Sequence, residues 1–393
     1  MGLDLSLKIG DVVLDNPVIA TAGDLFRDGH LIKRYSTMGM SAIVTKTITS
    51  QVLPFPHPCL ADFKCYFLNN VPGSEYSAEF WFDKGHVKIA KEGKAKVIVS
   101  IAGVNPEDAV SLATRAEKAG ADILEIPTYC PSIPEILESL GASSPPPEFT
   151  NVEPMKEIVK AVKESVSIPV MVKLSSVFNP ETKLWAKGAE DAGADAVVIA
   201  DSFGPVLAID INTGQPLLGG PHGFAGLTGR ALKPLTVRMV FEAAEVVKIP
   251  IIGVGGIRDW KDAVEYILAG AKGVGLYTEA HLRGPSVYKR VLDGIVKYME
   301  EKGYKSIAEF SGLTHKKVKE RKEKNMMLLD IIPPEVIEEK CTGCGLCEKA
   351  CVYFAIKVNP ETKKAVVDKE KCFGCGLCYT VCPFNAIVLH YYK

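Results

Sequence analysis

Eight cysteines crowded into a short C-terminal segment constrain the fold of this chain more than any other sequence feature. They form two runs of the same spacing, Cys341-x2-Cys344-x2-Cys347-x3-Cys351 and Cys372-x2-Cys375-x2-Cys378-x3-Cys382. The first residues lack the charged and apolar regions of a signal peptide, so we expect a cytoplasmic protein, in which disulfides are rare. Thiols clustered so tightly in a reducing compartment indicate metal binding.

Each cysteine run resembles the binding loop of bacterial ferredoxins, and two copies predict a small α+β module with two [4Fe-4S] clusters. Three thiolates come from one CxxCxxC loop, and in this motif the fourth comes from the other run. A pair of zinc sites is the alternative, but zinc usually takes two well-separated CxxC pairs. We therefore expect one cluster on Cys341, Cys344, Cys347 and Cys382, and the other on Cys372, Cys375, Cys378 and Cys351.

Composition excludes several other classes of protein. Lys and Arg together number 46 and Asp and Glu 47, so no net basic charge exists to hold nucleic acid through its phosphates. No run of 18 apolar residues is present, so we expect no membrane span. Hydrophobic residues make up 47% of the chain and charged residues 24%, which is typical of a folded globular protein.

Short apolar runs alternate with amphipathic helical patterns in the part of the chain before the cysteines. Near-continuous apolar strands separated by helices indicate a parallel sheet. Eight such units predict an α/β fold of the (β/α)8 TIM-barrel type. An open doubly wound sheet is the alternative, but no GxGxxG turn follows the first strand. The eight runs are Pro17–Gly23, Ala42–Thr47, Val97–Gly103, Ile123–Thr128, Val170–Ser175, Ala196–Ser202, Pro250–Gly256 and Gly273–Thr278.

A charged segment separates the predicted barrel from the predicted ferredoxin-like domain. We place the barrel at residues 1–312, a charged linker at 313–334 and the cluster domain at 335–393. The charged run 314–324 is typical of a solvated linker or helix face. A docking surface for an acidic electron carrier is the alternative. Pro333 and Pro334 then interrupt any helix and mark the boundary.

The carboxyl ends of the barrel strands are where a TIM barrel carries its chemistry. The last two predicted strands end in small, glycine-rich turns whose N–H groups could face a phosphate. A glycine turn alone is weak support, because many such turns bind nothing. The residues at the eight strand ends include Ala22, Gly23, Lys46, Cys130, Lys173, Asp201, Ser202, Gly255, Gly256, Tyr277 and Thr278.

Several of these segments together resemble dihydroorotate dehydrogenases. The barrel followed by a two-cluster module also resembles the C-terminal part of dihydropyrimidine dehydrogenase. The resemblance covers nearly the whole chain. It rests on Asn16-Pro17-Val18, the segment 44–49 (VTKTIT), Tyr129-Cys130-Pro131, Val172-Lys173-Leu174-Ser175, the segment 226–234 (GLTGRALKP) and the segment 253–257 (GVGGI).

The resemblance implies FMN in the barrel, with Lys46 and Lys173 near the polar edge of the flavin, where positive charge stabilises the anionic reduced form. Cys130 matches the proton-transfer cysteine of the family, and Lys46 is assigned with it as catalytic. A buried structural cysteine is the alternative for Cys130. The residues implied to bind the cofactor are Ala22, Gly23, Lys46, Lys173, Asp201, Ser202, Gly226, Gly255, Gly256, Tyr277 and Thr278. The residues implied to bind substrate are Asn69, Ser132, Asp201 and Ser202.

The chain departs from the family pattern around the expected substrate. The family usually has asparagines beside the cysteine, whereas this chain has Pro127 and Ser132 there. Where an asparagine usually follows the sixth strand, Asp201 stands here, and an ionised carboxylate would repel an acidic substrate such as orotate. Retained FMN binding with altered substrate recognition is therefore expected. The long segment 131–154 is expected to be a lid over Cys130, or else an ordinary surface loop.

The resemblance predicts an oxidoreductase that reduces or forms a C=C bond conjugated to a carbonyl and passes electrons between FMN and two [4Fe-4S] clusters. No NAD module is visible, so we expect ferredoxin or a separate NAD(P)H-flavoprotein subunit as electron partner, within a homo- or hetero-oligomer. Three alternatives stay open. The chain could be an electron-transfer subunit without a substrate, an enzyme of the same chemistry acting on a non-pyrimidine, or a flavin-free phosphosugar enzyme.

Overall fold

The computed structural model describes residues 2–130, 133–139, 148–323 and 331–390. The chain divides into two compact units, Met1–Lys316 and Lys317–Lys393. The boundaries predicted above for barrel, linker and cluster domain remain predictions. No helix in the described ranges is long and apolar enough to cross a membrane.

The strands are short, and each follows an apolar stretch of the sequence. In the first unit they are β1 (Leu7–Ile9), β2 (Val12–Leu14), β3 (Val18–Ala20), β4 (Ala42–Val44), β5 (Leu60–Asp62), β6 (Phe67–Asn69), β7 (Lys96–Ser100), β8 (Ile123–Pro127), β9 (Val170–Leu174), β10 (Ala196–Ile199), β11 (Phe203–Val206), β12 (Ala225–Thr228), β13 (Ile251–Val254) and β14 (Gly273–Leu276). In the second unit they are β15 (Glu335–Val336), β16 (Ile356–Val358), β17 (Ala365–Val367) and β18 (Ile387–Val388).

The helices of the first unit alternate with the barrel strands. They are α1 (Gly29–Tyr35), α2 (Ala78–Phe82), α3 (His86–Lys91), α4 (Pro106–Lys118), α5 (Ile133–Ser139), α6 (Glu153–Ser165), α7 (Thr182–Asp191), α8 (Lys233–Ala243), α9 (Trp260–Ala269), α10 (Thr278–Arg283) and α11 (Ser286–Lys302). Helix α12 (Leu313–Glu323) covers most of the charged run and buries no side chain, as a solvated helix face requires. The second unit adds α13 (Leu346–Ala350) and α14 (Leu377–Val381).

Eight parallel strands close into a barrel, and each of the eight predicted apolar runs supplies one of them. The order around the barrel is β10-β13-β14-β3-β4-β7-β8-β9. The prediction of a (β/α)8 barrel is therefore confirmed. Each predicted run continues past the carboxyl end of its strand, because the last residues turn into the loops at the mouth. These loops carry the residues that sequence reasoning singled out.

An N-terminal hairpin, not predicted from the sequence, packs against the interior of the barrel. Strands β1 and β2 pair antiparallel. Leu7, Ile9 and Leu14 are buried in one apolar cluster with inward-facing strand residues such as Ile98 and Met171. A separate, larger cluster fills the space between the strands and the surrounding helices. The hairpin thus removes a second apolar surface from water, which contributes to the stability of the barrel.

A four-stranded antiparallel sheet, also not predicted, stands after the barrel strands at the mouth. Its order is β11-β12-β6-β5. Strand β11 begins at Phe203, four residues beyond the end of β10 at Ile199, so this sheet continues from the carboxyl end of a barrel strand. Pairing of Gly226 with Asn69 joins segments that are far apart in the sequence. The sheet thus places Asn69 at the mouth of the barrel.

The second unit is built from two similar halves. Strand β15 pairs with β18, and β16 pairs with β17, both antiparallel. Helices α13 and α14 each begin directly after a glycine, Gly345 and Gly376, that adopts a left-handed conformation. Its small core contains Cys347, Ile356 and Ile387, with other cysteines packed around them.

We expect the hairpin to stabilise the barrel by burial. Ile9→Ala should lower the free energy of unfolding by about 2–4 kcal/mol, because a completely buried isoleucine is replaced by a cavity. Val13→Ala, on the same hairpin at a position that is 52% exposed, should change it by less than about 0.5 kcal/mol. Urea unfolding followed by circular dichroism measures both. Equal effects of the two variants would contradict the packing described here.

Candidate active site

Lys46 lies after β4 and faces a carboxylate of the neighbouring strand end. Its Nζ is 3.2 Å from Asp24 Oδ1, and its side chain is only 12% exposed. Asp24 follows Gly23 in the loop after β3. Because β3 and β4 are adjacent in the barrel, their carboxyl ends bring these two side chains together. Lys46 is therefore a largely buried lysine whose charge is balanced by one acidic partner.

Lys173, near the end of β9, lies between two carboxylates. Its Nζ is 3.2 Å from Glu125 Oε1 and 3.2 Å from Asp201 Oδ2. Glu125 is almost completely buried on β8, and its Oε1 receives no well-aligned hydrogen bond despite the close ammonium. Burial disfavours the charged ammonium, but the charges of Asp201 and Glu125 outweigh it and raise the pKa of Lys173 above its usual value. Lys173 thus stays protonated.

Cys130 lies in the loop that follows β8. The start of this loop is fixed to β9, because the N–H and Oγ1 of Thr128 both donate to the carbonyl of Lys173 at 3.0 Å. Thr128 Oγ1 also accepts from Ser175 N–H at 3.2 Å. Cys130 is half-buried, and its carbonyl accepts from Ile133 N–H at 3.1 Å. Ser132 and part of the expected lid, residues 131–132 and 140–147, lie outside the described residues.

Asn69, Ser202 and Gly226 meet where the antiparallel sheet adjoins the barrel. A Cβ atom added to Gly226 would lie 2.6 Å from Ser202 Oγ and 3.5 Å from Asn69 Nδ2. The neighbouring Asp201 is fixed by its N–H, which donates to Leu174 O at 2.9 Å. The structure thus brings together three of the residues predicted to bind substrate or cofactor. Gly226, which the resemblance implies to bind cofactor, packs against Ser202 and Asn69.

A cradle of backbone forms after β13 and β14. Gly255 and Gly256 have φ of +127° and +66°, conformations that favour glycine. A Cβ atom on Gly256 would lie 2.7 Å from the carbonyl of Gly229, so the two turns approach closely. In the described part of the chain nothing accepts a hydrogen bond from the N–H of Gly255 or Gly256. Thr278, at the start of α10, lies beside Gly229.

The chemistry of this cradle fits a phosphate group. Half-buried N–H groups without a partner, next to a helix start, are donors that a phosphate oxygen would satisfy. Of the residues predicted for the cofactor, Gly255, Gly256 and Thr278 converge here. Gly229, which sequence reasoning did not name, completes the cradle.

Tyr266 fixes the backbone of the cradle through a hydrogen bond to Gly255. Its hydroxyl donates to Gly255 O at 2.6 Å and pairs with Thr236 Oγ1. Burial raises the pKa of Tyr266, so the hydroxyl remains a donor. Because the Gly255 carbonyl is held inward, the plane of the following peptide is fixed. Tyr266 is thus a positioning residue for the N–H of Gly256.

Gly23 and Tyr277 form the opposite part of the mouth. A Cβ atom on Gly23 would collide with the ring of Tyr277, so only glycine permits this close packing. The Tyr277 hydroxyl accepts from Leu25 N–H at 3.2 Å and lies 2.8 Å from His281 Nδ1. Ala22 packs against the apolar cluster inside the barrel. Ala22 and Gly23 thus place only small side chains after β3 at this part of the mouth.

The eight cysteines of the second unit line two separate cavities with empty volumes of about 340 Å³ and 370 Å³. Each cavity receives three thiols from one run and one thiol from the other. Cys382 joins the first run, and Cys351 joins the second. The two sets are Cys341, Cys344, Cys347 and Cys382, and Cys351, Cys372, Cys375 and Cys378. The pairing expected from the spacing is the pairing that the fold brings together.

The surroundings of these thiols act on the thiolate form in two opposite directions. Backbone N–H groups of Ala355 and Ala386 approach Cys351 Sγ and Cys382 Sγ at 3.3 Å and 3.4 Å. Burial and the neighbouring thiolates raise the pKa of Cys378 to about 11, so a bound cation is needed to keep it deprotonated. Within the described residues, no three His, Cys, Asp or Glu side chains form a group suited to a single metal ion.

Besides Gly229, three residues that shape the site were given no role by sequence reasoning. Glu125 could have been found, because an acidic residue inside the apolar strand β8 signals a buried charge. Asp24 could not, because its pairing with Lys46 exists only once β3 and β4 are adjacent. Tyr266 lies on the buried face of α9, where a tyrosine is indistinguishable from a core residue by sequence alone.

Two protein-family models match the chain. The dihydroorotate dehydrogenase model matches residues 4–299, which is most of the barrel unit. The 4Fe-4S dicluster domain model matches residues 340–386, the segment that holds the cysteine runs.

Similar proteins of known name are dihydroorotate dehydrogenase B (NAD(+)) catalytic subunits. The protein of Methanothermobacter thermautotrophicus is 33% identical over 313 residues, which cover 79% of this chain and 98% of the relative. The protein of Pyrococcus furiosus is 33% identical over 319 residues, covering 80% and 100%. The protein of Caldicellulosiruptor bescii is 35% identical over 313 residues, covering 79% and 99%. About a fifth of this chain lies outside these matches.

Removal of the Lys173 ammonium should destabilise the protein, because Glu125 and Asp201 then lose the positive charge that they share. Lys173→Met is expected to lower the free energy of unfolding by about 3–5 kcal/mol at neutral pH. The loss should be smaller at pH 5 than at pH 8, since protonation can neutralise the carboxylates only at low pH. Lys187→Met, which removes a half-exposed lysine from Glu190 and Asp191 on the surface helix α7, should cost at most about 1 kcal/mol. Urea titrations at both pH values measure this, and equal losses in the two variants would contradict it.

Proposed function

Because the chain belongs to the dihydroorotate dehydrogenase family, we propose that it is a flavin- and iron–sulfur-dependent oxidoreductase that forms or reduces a C=C bond beside a carbonyl group. The observation that carries the proposal is the set of residues at the carboxyl ends of the barrel strands, which includes two largely buried lysines, the Cys130 loop and a cradle of backbone N–H groups. Oxidoreduction of CH–CH groups is the chemistry of the family.

FMN is the cofactor that these residues would hold. The cradle of Gly229, Gly255, Gly256 and Thr278 would take its phosphate, and the small residues after β3 would lie against its ring. When bound, FMN supplies hydride exchange with a substrate carbon. The ammonium groups of Lys46 and Lys173 would lie at the mouth as fixed positive charges, each held by carboxylates.

Cys130 is proposed as the acid–base residue. Formation of a C=C bond removes a hydride from one carbon and a proton from its neighbour, and reduction returns both. The proton would be taken or given at Cys130 Sγ, while the hydride is exchanged with the cofactor. The hydrogen bonds of Thr128 to β9 support this role, because they fix the start of the loop.

The second unit is proposed to hold two [4Fe-4S] clusters and to transfer electrons between the flavin and an electron-transfer partner. Four thiols in each cavity match the four iron atoms of one cubane. The similar proteins are described as catalytic subunits linked to NAD(+), and a catalytic subunit implies a further subunit. We propose ferredoxin or a separate NAD(P)H-flavoprotein subunit as the partner of this chain.

The first experiment is anaerobic purification followed by flavin and iron analysis. We expect about one FMN and about eight iron atoms per chain. Dithionite-reduced protein should then be reoxidised by a conjugated carbonyl acceptor from a panel that includes uracil, thymine and orotate. A reduced flavin that no acceptor reoxidises would support a pure electron-transfer subunit instead. Absence of flavin from the purified protein would favour a phosphosugar barrel.

Cys130→Ala should slow reoxidation by the active acceptor about 10²- to 10⁴-fold, because the proton loses its carrier. Flavin and iron contents should stay unchanged. Cys65→Ala, at an exposed thiol, provides the control and should react at the normal rate. Single-turnover stopped-flow absorbance of the flavin measures the rate. A Cys130 variant as fast as the control would exclude this cysteine as the acid–base residue.

Paired cysteine variants can test the crossed ligand sets. Cys344→Ala/Cys382→Ala removes two thiols from one cavity, so about four of eight iron atoms should remain. Cys344→Ala/Cys351→Ala removes one thiol from each cavity and should damage both clusters. Iron analysis and low-temperature paramagnetic resonance separate these outcomes. The opposite ranking of the two variants would show that each run binds its own cluster.

A further inference from the structure

The charges at the ends of β8, β9 and β10 do not balance. Lys173 contributes one positive charge, whereas Glu125 and Asp201 each contribute a carboxylate to it. This group of three side chains, here called the Lys173 triad, therefore carries a net charge of about −1 when both acids are ionised. Its members belong to adjacent barrel strands, so the charge is a fixed feature of the mouth.

Asp201 is the member of the Lys173 triad that faces open space. Its side chain is 32% exposed, whereas those of Glu125 and Lys173 are 1% and 9% exposed. Its Oδ1 accepts the N–H of Ser202 at 2.7 Å, and its Oδ2 faces Lys173. A carboxylate oxygen can accept more than one hydrogen bond, so both oxygens can still receive a donor from the mouth.

The other lysine of the mouth does not offset this negative charge. Lys46 lies 3.2 Å from Asp24 and is already matched by it. A substrate carboxylate arriving at Asp201 would meet a like charge, and both lysines are engaged with protein acids. A substrate N–H would instead meet an acceptor that is held in place by Leu174 and Ser202.

We propose that Asp201 determines substrate specificity, selecting a neutral cyclic amide or imide that directs an N–H towards it and rejecting substrates that carry a carboxylate. This inference rests on the proposed function, since it assigns the substrate class of the same mouth. It separates this chain from the relatives, whose names state dihydroorotate, a carboxylate-bearing ring.

A matched pair of ligands isolates the effect of the ligand's negative charge on binding. Orotate and its neutral amide, orotamide, share a ring and nearly a size, but only orotate carries a negative charge at pH 7.5. Binding is read from perturbation of the absorbance of the oxidised, flavin-loaded protein. We expect orotamide to bind roughly 10- to 100-fold more tightly than orotate, the range for two unit charges about 6–12 Å apart at an effective dielectric of about 20. Equal or tighter binding of orotate would overturn the proposal.

The variant Asp201→Asn keeps the shape of the side chain and removes its charge. It should bind orotate roughly 10-fold or more tighter than the natural protein, and change orotamide binding by less than about 3-fold. Asp191→Asn, an exposed position on α7, is the matched control and should leave both affinities unchanged. An unaltered preference in Asp201→Asn would show that the charge of Asp201 does not set specificity.

Failure of this inference can be told from failure of the proposed function. Reoxidation of the reduced flavin by any conjugated carbonyl compound supports the proposed function irrespective of the ligand pair. If such an acceptor works while neither orotate nor orotamide perturbs the flavin, the cyclic-amide class is overturned and the oxidoreductase stands. The comparison of two ligands on the unmodified protein decides the proposal even if Asp201→Asn fails to fold.

Discussion

One buried ammonium, that of Lys173, ties together the strands on which the active-site mouth depends. It neutralises Glu125, which lies inside β8 and could not remain ionised there alone, and it anchors Asp201 after β10. The carbonyl of the same residue holds the loop that leads to Cys130. A single side chain and its backbone thus fix acidic, basic and thiol groups from three adjacent strands. The arrangement costs desolvation but gives a rigid site.

Side chains from neighbouring elements hold the loops of the mouth in place. The turn at Gly255 is held by the buried hydroxyl of Tyr266, and the backbone at Gly23 is held by the ring of Tyr277. The antiparallel sheet then adds Asn69 beside Ser202. Each supporting contact comes from an element behind the site, so cofactor and substrate would meet preorganised donors and walls rather than mobile side chains.

Much of the architecture was predictable because it follows local patterns. Each of the eight barrel strands lies in an apolar run, and the two cysteine runs lie around two cavities as their spacing predicts. The sheet containing β6 and β12 was missed because these strands pair across a large sequence separation. The hairpin β1–β2 is local, since Ile9 pairs with Val12, and it was missed because each of its strands is only three residues long. Such short segments carry too little periodicity to be distinguished from loops.

The sequence by itself determined the fold class, the thiol inventory and the residues placed at the strand ends, because periodicity and spacing are local properties. Only the tertiary structure decided which charges meet. In the sequence, Lys46 and Lys173 are both basic residues near the ends of strands, yet one balances a single carboxylate and the other balances two. The sign of the net charge at the mouth depends on that difference. It arises because barrel closure makes β8, β9 and β10 neighbours, and electrostatic interactions depend on distance in space rather than along the chain.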